Sequence, residues 1–257
     1  MNKIFNLINI FSINQKDFIF VYSEDSNYWV HLKPLVISML KDESLKIIYI
    51  SSNKDDLGLE FKNINFKSFY LGFGAILVWF FKNINCKIMI TSSPDLDNFQ
   101  FKKSKNNVHY IYIQHSLNSL HSAYNHNAFN AYDTIFCSTE NHIIECEKLF
   151  NKSKKKPILF KHGYDRLLTL PPKNKNINSK NKIVLISPSW GPSSLLMNKE
   201  KLSSLIEILI DNNCEVILRP HHMTLRTDKN YIDNLQKKFS KFNNFLLEKG
   251  NFNADSL

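Results

Sequence analysis

Short apolar runs alternate along the chain with longer segments of helical spacing. Phe18–Tyr22, Lys46–Ile50, Lys87–Thr91, Val108–Ile113 and Thr134–Cys137 are each short, rich in Ile, Val, Phe or Tyr, and bounded by polar residues. Near-continuous apolar runs of that kind read as strands buried on both faces of a parallel sheet. Between them, Tyr28–Leu40, Gly74–Asn83 and Thr139–Phe150 place apolar residues at helical intervals. Ser138 or Thr139 can cap the last of these, and Glu140 in its first turn suits the helix dipole. The alternation predicts a doubly wound α/β domain over residues 1–161, with its ligand edge at the carboxyl ends of the strands.

Residues 162–181 turn polar and carry Pro171 and Pro172, the composition of an exposed connector. The alternation then restarts, with strands at Ile183–Ser187, Glu215–Leu218 and Asn244–Leu247 and helices at Lys199–Asp211 and Tyr231–Phe239. The expected fold class is therefore α/β, with two Rossmann-like doubly wound domains. Residues 182–257 hold three of these strands and two helices, and a further helix begins near Ala254. The second domain is accordingly expected to be incomplete, with an open sheet edge and uncovered apolar faces.

Composition agrees with a globular chain that can bury a sizeable core: 43% of residues are hydrophobic and 22% charged. Phe 20 and Tyr 10 against Gly 6 and Pro 8 favour long elements over a turn-punctuated all-β design. The net charge of +10 is concentrated, because Asn151–Lys182 holds nine lysines and Arg166 against Asp165 alone. A nucleic-acid binder spreads such charge over a face, so nucleic acid is not an expected partner. An acidic substrate, a phosphate group or an anionic membrane surface fits one basic segment, and so does a plain solvated linker. Cys86, Cys137, Cys146 and Cys214 lack C-x-x-C spacing and lie in apolar runs, which reads as buried thiols in a reducing compartment. Met1–Phe18 has no signal-peptide pattern. The apolar stretch Phe69–Phe81 is shorter than the roughly 20 residues that span a bilayer. The expected location is the cytoplasm, with peripheral contact at the inner membrane face left open.

No G-x-G-x-x-G, P-loop or G-x-S-x-G segment is present, and Gly72-Phe73-Gly74 is too little for a phosphate loop. Candidate chemistry instead follows three predicted strands. Tyr110–Ile113 runs into Gln114, His115 and Ser116, where His115 is placed to accept a proton from an alcohol, or simply to pack at a strand end. His115, His121 and His126 lack a completing acidic or Cys ligand, so no metal site is expected, and no cofactor. Ile183–Ile186 runs into Ser187, Ser189, Trp190 and Gly191, either a phosphate cradle or an ordinary turn. Val216–Leu218 runs into Arg219, Pro220 and His221, a fixed positive charge beside a titratable donor, suited to a pyrophosphate leaving group. Placing that arginine after a buried apolar run demands a partner.

The order and strand-end placement of these segments resemble the CDP-glycerol glycerophosphotransferase family of teichoic-acid and capsule-type enzymes, over most of the chain from Lys46. Gln114-His115-Ser116 resembles the family's Gln-x-x-His-Gly-Thr in a closed-up form, and Pro188-Ser189-Trp190-Gly191 resembles Pro-Thr-Trp-Arg without its Arg. Arg219-Pro220-His221 is similar to an Arg-x-His-Pro segment, and Gly163-Tyr164-Asp165 to the Gly-Tyr-x-x-x-Asp ending of the first domain. A later Asp-Tyr-Ser-Ser-like donor segment would follow Leu257. The resemblance implies a GT-B-like pair of domains and transfer of glycerol phosphate from a CDP-activated polyol donor to an anionic polymer or lipid-linked acceptor. His115 would then be base, His221 would meet the leaving phosphate, and Gln114, Ser116, Ser187, Ser189, Trp190 and Arg219 would bind substrate. A UDP-sugar 2-epimerase or glycosyltransferase of the same architecture, and a non-catalytic fragment, stand as alternatives.

Overall fold

The computed structural model describes residues 2–125, 127–169 and 182–249. The chain divides into two compact units, residues 1–170 and 171–257.

The first unit is built on seven strands: β1 (Ile19–Ser23), β2 (Ile47–Ser51), β3 (Phe66–Tyr70), β4 (Ile88–Thr91), β5 (His109–Ile113), β6 (Thr134–Cys137) and β7 (Ile158–Lys161). They pair in the order β3-β2-β1-β4-β5-β6-β7, every pair parallel. Helices α1 (Lys3–Phe11), α2 (Trp29–Met39), α3 (Ala75–Asn83), α4 (Leu120–Ala123) and α5 (Glu140–Leu149) accompany them. Alternate residues of one strand serve opposite faces: Phe20 and Tyr22 join a core with Ile48, Phe80 and Tyr112, while Val21 joins Trp29, Tyr49 and Ile113. Both faces are dry, which explains why the strands read as unbroken apolar runs. Burying each such side chain contributes about 1.5–3 kcal/mol, opposed by the ordering of the chain.

Among the elements with no counterpart in the sequence expectations are α1, β3 and β7. In α1, Asn2 caps the helix by accepting from the Ile4 and Phe5 amides, and Ile4, Phe5 and Ile8 stand exposed. The run Phe69–Phe81 divides at Gly72 and Gly74, whose φ of +63° and +106° turn the end of β3 into α3. At the sheet edge, β7 follows Pro157 and leaves Ile158 and Phe160 more than half exposed. Residues 165–169 form a 3-10 turn that packs on α2, so this part of the expected connector folds with the first unit. The rest of the connector, residues 170–181 with Lys173, Lys175 and Lys180, lies outside the described residues, as does the helix expected near Ala254.

The second unit has three parallel strands, β8 (Ile183–Ile186), β9 (Glu215–Leu218) and β10 (Phe245–Leu247), in the order β10-β9-β8. Its helices are α6 (Lys199–Asp211), α7 (His222–Thr227) and α8 (Lys229–Phe239). Leu202, Ile206 and Ile210 of α6 and Ile232, Leu235 and Phe239 of α8 pack with Val216 and Leu218 in one core. The four cysteines are free and buried. Among the described residues no helix is long and apolar enough to cross a membrane.

Candidate functional site

In the first unit the strand order reverses between β1 and β4, and a parallel sheet opens its ligand crevice at the carboxyl ends of strands at such a point. β1 runs into Glu24 and Asp25, β4 into Ser92, Ser93 and Asp95, and β5 into Gln114, His115 and Ser116. A crevice of about 450 Å³ lies there, lined by Tyr28, Asp95, His115, Tyr124 and Asn125 among others.

His115 stands between two phenols. Tyr112 Oη lies 3.4 Å from its Nδ1 and Tyr124 Oη 3.3 Å from its Nε2. A neutral imidazole has one N–H and one bare nitrogen, so one phenol accepts and the other donates. The Tyr28 ring is 4.9 Å away, and Tyr164 donates its hydroxyl to the His115 carbonyl at 3.2 Å. Burial lowers the pKa of His115 from its ordinary value, with the Ser92 backbone opposing the shift. The ring is therefore neutral at pH 7, the state in which it accepts a proton.

The loop after β5 holds this geometry because α5 anchors it. Glu145 accepts from the Leu120 amide at 2.7 Å, and His142 Nε2 meets the Asn118 carbonyl at 3.1 Å. Tyr124, just past α4, reaches both His115 and the Ser116 hydroxyl, the latter at 3.3 Å. Gln114 is buried and accepts from the Ser138 amide at 2.6 Å, tying β5 to β6, while its Nε2 has no hydrogen-bond partner. His121 is exposed, His126 lies outside the described residues, and among those described no three His, Cys, Asp or Glu side chains cluster as metal ligands.

Glu24 and Asp95 have no place among the sequence-predicted site residues, although Glu24 directly follows β1 and Asp95 stands four residues past the end of β4. A carboxylate after an apolar run is a weak signal in the sequence, because which strands are neighbours decides whether two such carboxylates share a site. Burial raises the Glu24 pKa, with the Ser93 hydroxyl opposing and Asp25 and Asp95 reinforcing the shift. The loop that carries Asp95 is held in an unusual backbone: Asp95, Asp97 and Phe99 have φ of 61°, 71° and 43°. Three such residues within five positions is a strained arrangement that surrounding hydrogen bonds must fix. The Asp97 amide donates to the Phe101 carbonyl at 2.7 Å, and Gln100 accepts from the Gly74 amide at 2.8 Å.

The second unit places its candidates at the carboxyl edge of β8 and β9. The Trp190 ring stacks near-parallel on His221, with centroids 6.3 Å apart. Gly191 has φ +105°, which turns the chain after Trp190, and Ser194 donates its hydroxyl to the Ser189 carbonyl. Ser187 and Ser189 are exposed. The partner that buried Arg219 requires is Glu248, just past β10, whose Oε2 accepts from Arg219 Nε. A cavity of about 570 Å³ follows the loop, between Pro192 and Glu200 at the start of α6. There Asn198 caps the helix by accepting from the Lys201 amide.

Of the sequence-predicted residues, the structure links His115 and Ser116 through Tyr124 in the first unit and Trp190 with His221 in the second, while Gln114 turns to the Ser138 amide, Arg219 to Glu248, and Ser187 and Ser189 are exposed. Tyr164, marked only by resemblance, reaches the His115 backbone. No family model matches the chain, and no curated protein matches it. Solved structures do. The Staphylococcus aureus MnaA protein solved with UDP shares 14% identity with a TM-score of 0.62, over 89% of this chain and 67% of that one. A Listeria monocytogenes structure described as a putative UDP-N-acetylglucosamine 2-epimerase shares 12% identity with a TM-score of 0.63, over 92% and 70%. A Methanocaldococcus jannaschii UDP-GlcNAc 2-epimerase, solved with UDP-GlcNAc and UDP, shares 14% identity with a TM-score of 0.55, over 90% and 72%. At such identities the likeness is one of fold, and the fold is the GT-B-like, Rossmann-type α/β architecture expected from the sequence.

Proposed function

We propose that the chain is an enzyme acting on a nucleoside-diphosphate-activated donor, with His115 as its proton acceptor. The observation that carries this reading is His115: a neutral, oriented imidazole at the switch point of a parallel sheet, opening on a crevice. In transfer, the acceptor hydroxyl gives its proton to His115 as its oxygen attacks the donor, and the bond to the nucleotide leaving group breaks. On the second unit, the loop Ser187–Gly191 and His221 are the candidates for holding a nucleotide phosphate. Arg219, neutralised in part by Glu248, would contribute N–H donors more than net charge.

Within that class a UDP-sugar donor, for epimerisation or glycosyl transfer, is the better supported reading, because the similar solved structures include several UDP-N-acetylglucosamine 2-epimerases. Transfer of glycerol phosphate from a CDP-activated donor is the second reading, supported by the order of the segments Gln114-His115-Ser116, Pro188-Ser189-Trp190 and Arg219-Pro220-His221. Titration calorimetry with UDP-GlcNAc and CDP-glycerol, followed by NMR of the products formed with and without an added sugar acceptor, separates the two. Saturable UDP-GlcNAc binding with conversion is expected. Binding of neither nucleotide would remove the proposal.

A further inference from the structure

An anionic acceptor is the first expectation for a protein of net charge +10, yet the crevice beside His115 carries the opposite sign. A second hollow, of about 410 Å³, continues from the His115 crevice through shared walls at Tyr28, Pro94 and Asp95. Among the described lining residues of both hollows the charged side chains are Glu24 and Asp95, and none is Lys or Arg. The rise in the Glu24 pKa reports the same field, since Asp25 and Asp95 add to the effect of burial. A phosphate beside His115 would meet the Asp95 carboxylate, with Glu24 in the adjoining hollow and no cation on either described lining to offset them.

Five aromatic rings line the second hollow, Tyr22, Tyr28, Phe73, Phe99 and Phe101, with the amides of Asn98 and Gln100 beside them. Phe99 is 85% exposed and Phe73 52% exposed, so two apolar rings face water at its mouth. Large exposed apolar surface of that kind marks a binding site. Phe99 is held there at φ 43°, a costly backbone for a bulky residue, which the turn around Asp97 fixes in place. At the end of β4 the Ser92 backbone hydrogen-bonds His115, and the Ser92 hydroxyl is buried without a hydrogen-bond partner. Aromatic faces that accept the C–H side of a ring, with carboxylates that accept its hydroxyls, suit one chemical class.

We infer that the paired hollows form an acceptor subsite for an uncharged carbohydrate ring, stacked on Phe73 and Phe99 with hydroxyls donated to Glu24 and Asp95, and that the subsite discriminates against phosphate-bearing acceptors. The inference rests on the reading of His115 as proton acceptor and names the class of hydroxyl brought to it. The test uses the full chain without any nucleotide. Saturation-transfer NMR and calorimetry are run with methyl β-N-acetylglucosaminide, methyl β-glucoside and glycerol 1-phosphate. The glycosides are expected to bind at least 10-fold more tightly than glycerol 1-phosphate. Phe99→Ala should weaken the glycosides at least 5-fold, and the isosteric pair Glu24→Gln with Asp95→Asn should narrow the discrimination several-fold, each with an unchanged circular dichroism spectrum. Glycerol 1-phosphate binding as tightly as the glycosides, or glycoside affinity indifferent to Phe99→Ala, would overturn the inference. Failure of the reaction itself is read elsewhere: loss of nucleotide binding and conversion with glycoside affinity intact sinks the proposed activity and leaves the subsite standing.

Discussion

Lowering the pH should cost this protein stability through one side chain, His31. The residue lies on α2, is 7% exposed, and its Nδ1 has no hydrogen-bond partner. Burial is the main reason its pKa falls to about 4, and the nearby Arg166 and His115 push it the same way. An unfolded chain would hold it near 6.5. The folded pKa is the lower one, so the unfolded state takes up a proton first as pH falls below about 6.5, and stability drops until about pH 4. At pH 5 the unfolded state has gained about 1.5 units of protonation advantage, worth about 2 kcal/mol at about 1.4 kcal/mol per unit. For a protein of this size that is roughly 4–8 °C in Tm. The assay is urea unfolding of the wild type and of His31→Gln at pH 7.5 and pH 5.0. Gln cannot titrate, so its variant should lose about 2 kcal/mol less across that interval, whatever the substitution costs at pH 7.5. Equal losses in the two proteins would refute the account of a buried, neutral imidazole.

Three further outcomes are expected. His115→Ala should lower turnover roughly 100- to 10,000-fold while calorimetry shows donor affinity within a few-fold of wild type, because the ring belongs to the first unit and the donor candidates to the second. Glu24→Gln should stabilise the protein at pH 8, since a carboxyl whose folded pKa is raised weakens the fold above that pKa and not below the unfolded value near 4.3. The gain should fade in thermal melts as pH falls towards 4, and a pH-independent difference would count against it. Phe80→Ala, in a wholly buried position between Phe11, Phe20 and Phe81, should cost about 3–5 kcal/mol in urea unfolding.

How much of this was legible in the sequence differs between the two levels. The strands β1, β2, β4, β5 and β6 were readable because most of their positions are buried on one face or the other and apolar, with Ser, Thr or His only at their ends. β7 was not, because an edge strand with one partner need not be apolar throughout, and its exposed Lys161 pairs with Glu140. His115, Trp190 and His221 announced themselves by residue type at predicted strand ends. The two phenols on His115 did not, since Tyr112 is a buried strand residue indistinguishable from core, and Tyr124 reaches the ring only because Glu145 pins a four-residue helix onto α5. Glu24 and Asp95 meet only where the sheet order reverses, and a linear sequence does not print which strands are neighbours.

The exposed edge at β7 gives the basic cluster beside it another meaning. Among the described residues β7 has one unpaired side, a row of amides and carbonyls on which another chain can template itself, and Ile158 and Phe160 add adhesive apolar surface to that row. Directly before it stand Lys154, Lys155, Lys156 and Pro157, with Lys161 at its far end. Charges of one sign repel a like edge, and the proline removes a donor where pairing would begin. Part of the charge that reads as attraction towards anions would thus repel another copy at this edge, less the share that Asp133 and Glu140 offset at Lys155 and Lys161. That protection is electrostatic and shrinks with the screening length, about 10 Å at 0.1 M salt and about 3 Å at 1 M. Concentrated salt, the usual remedy for a basic protein that sticks to everything, would be the condition under which this one sticks to itself.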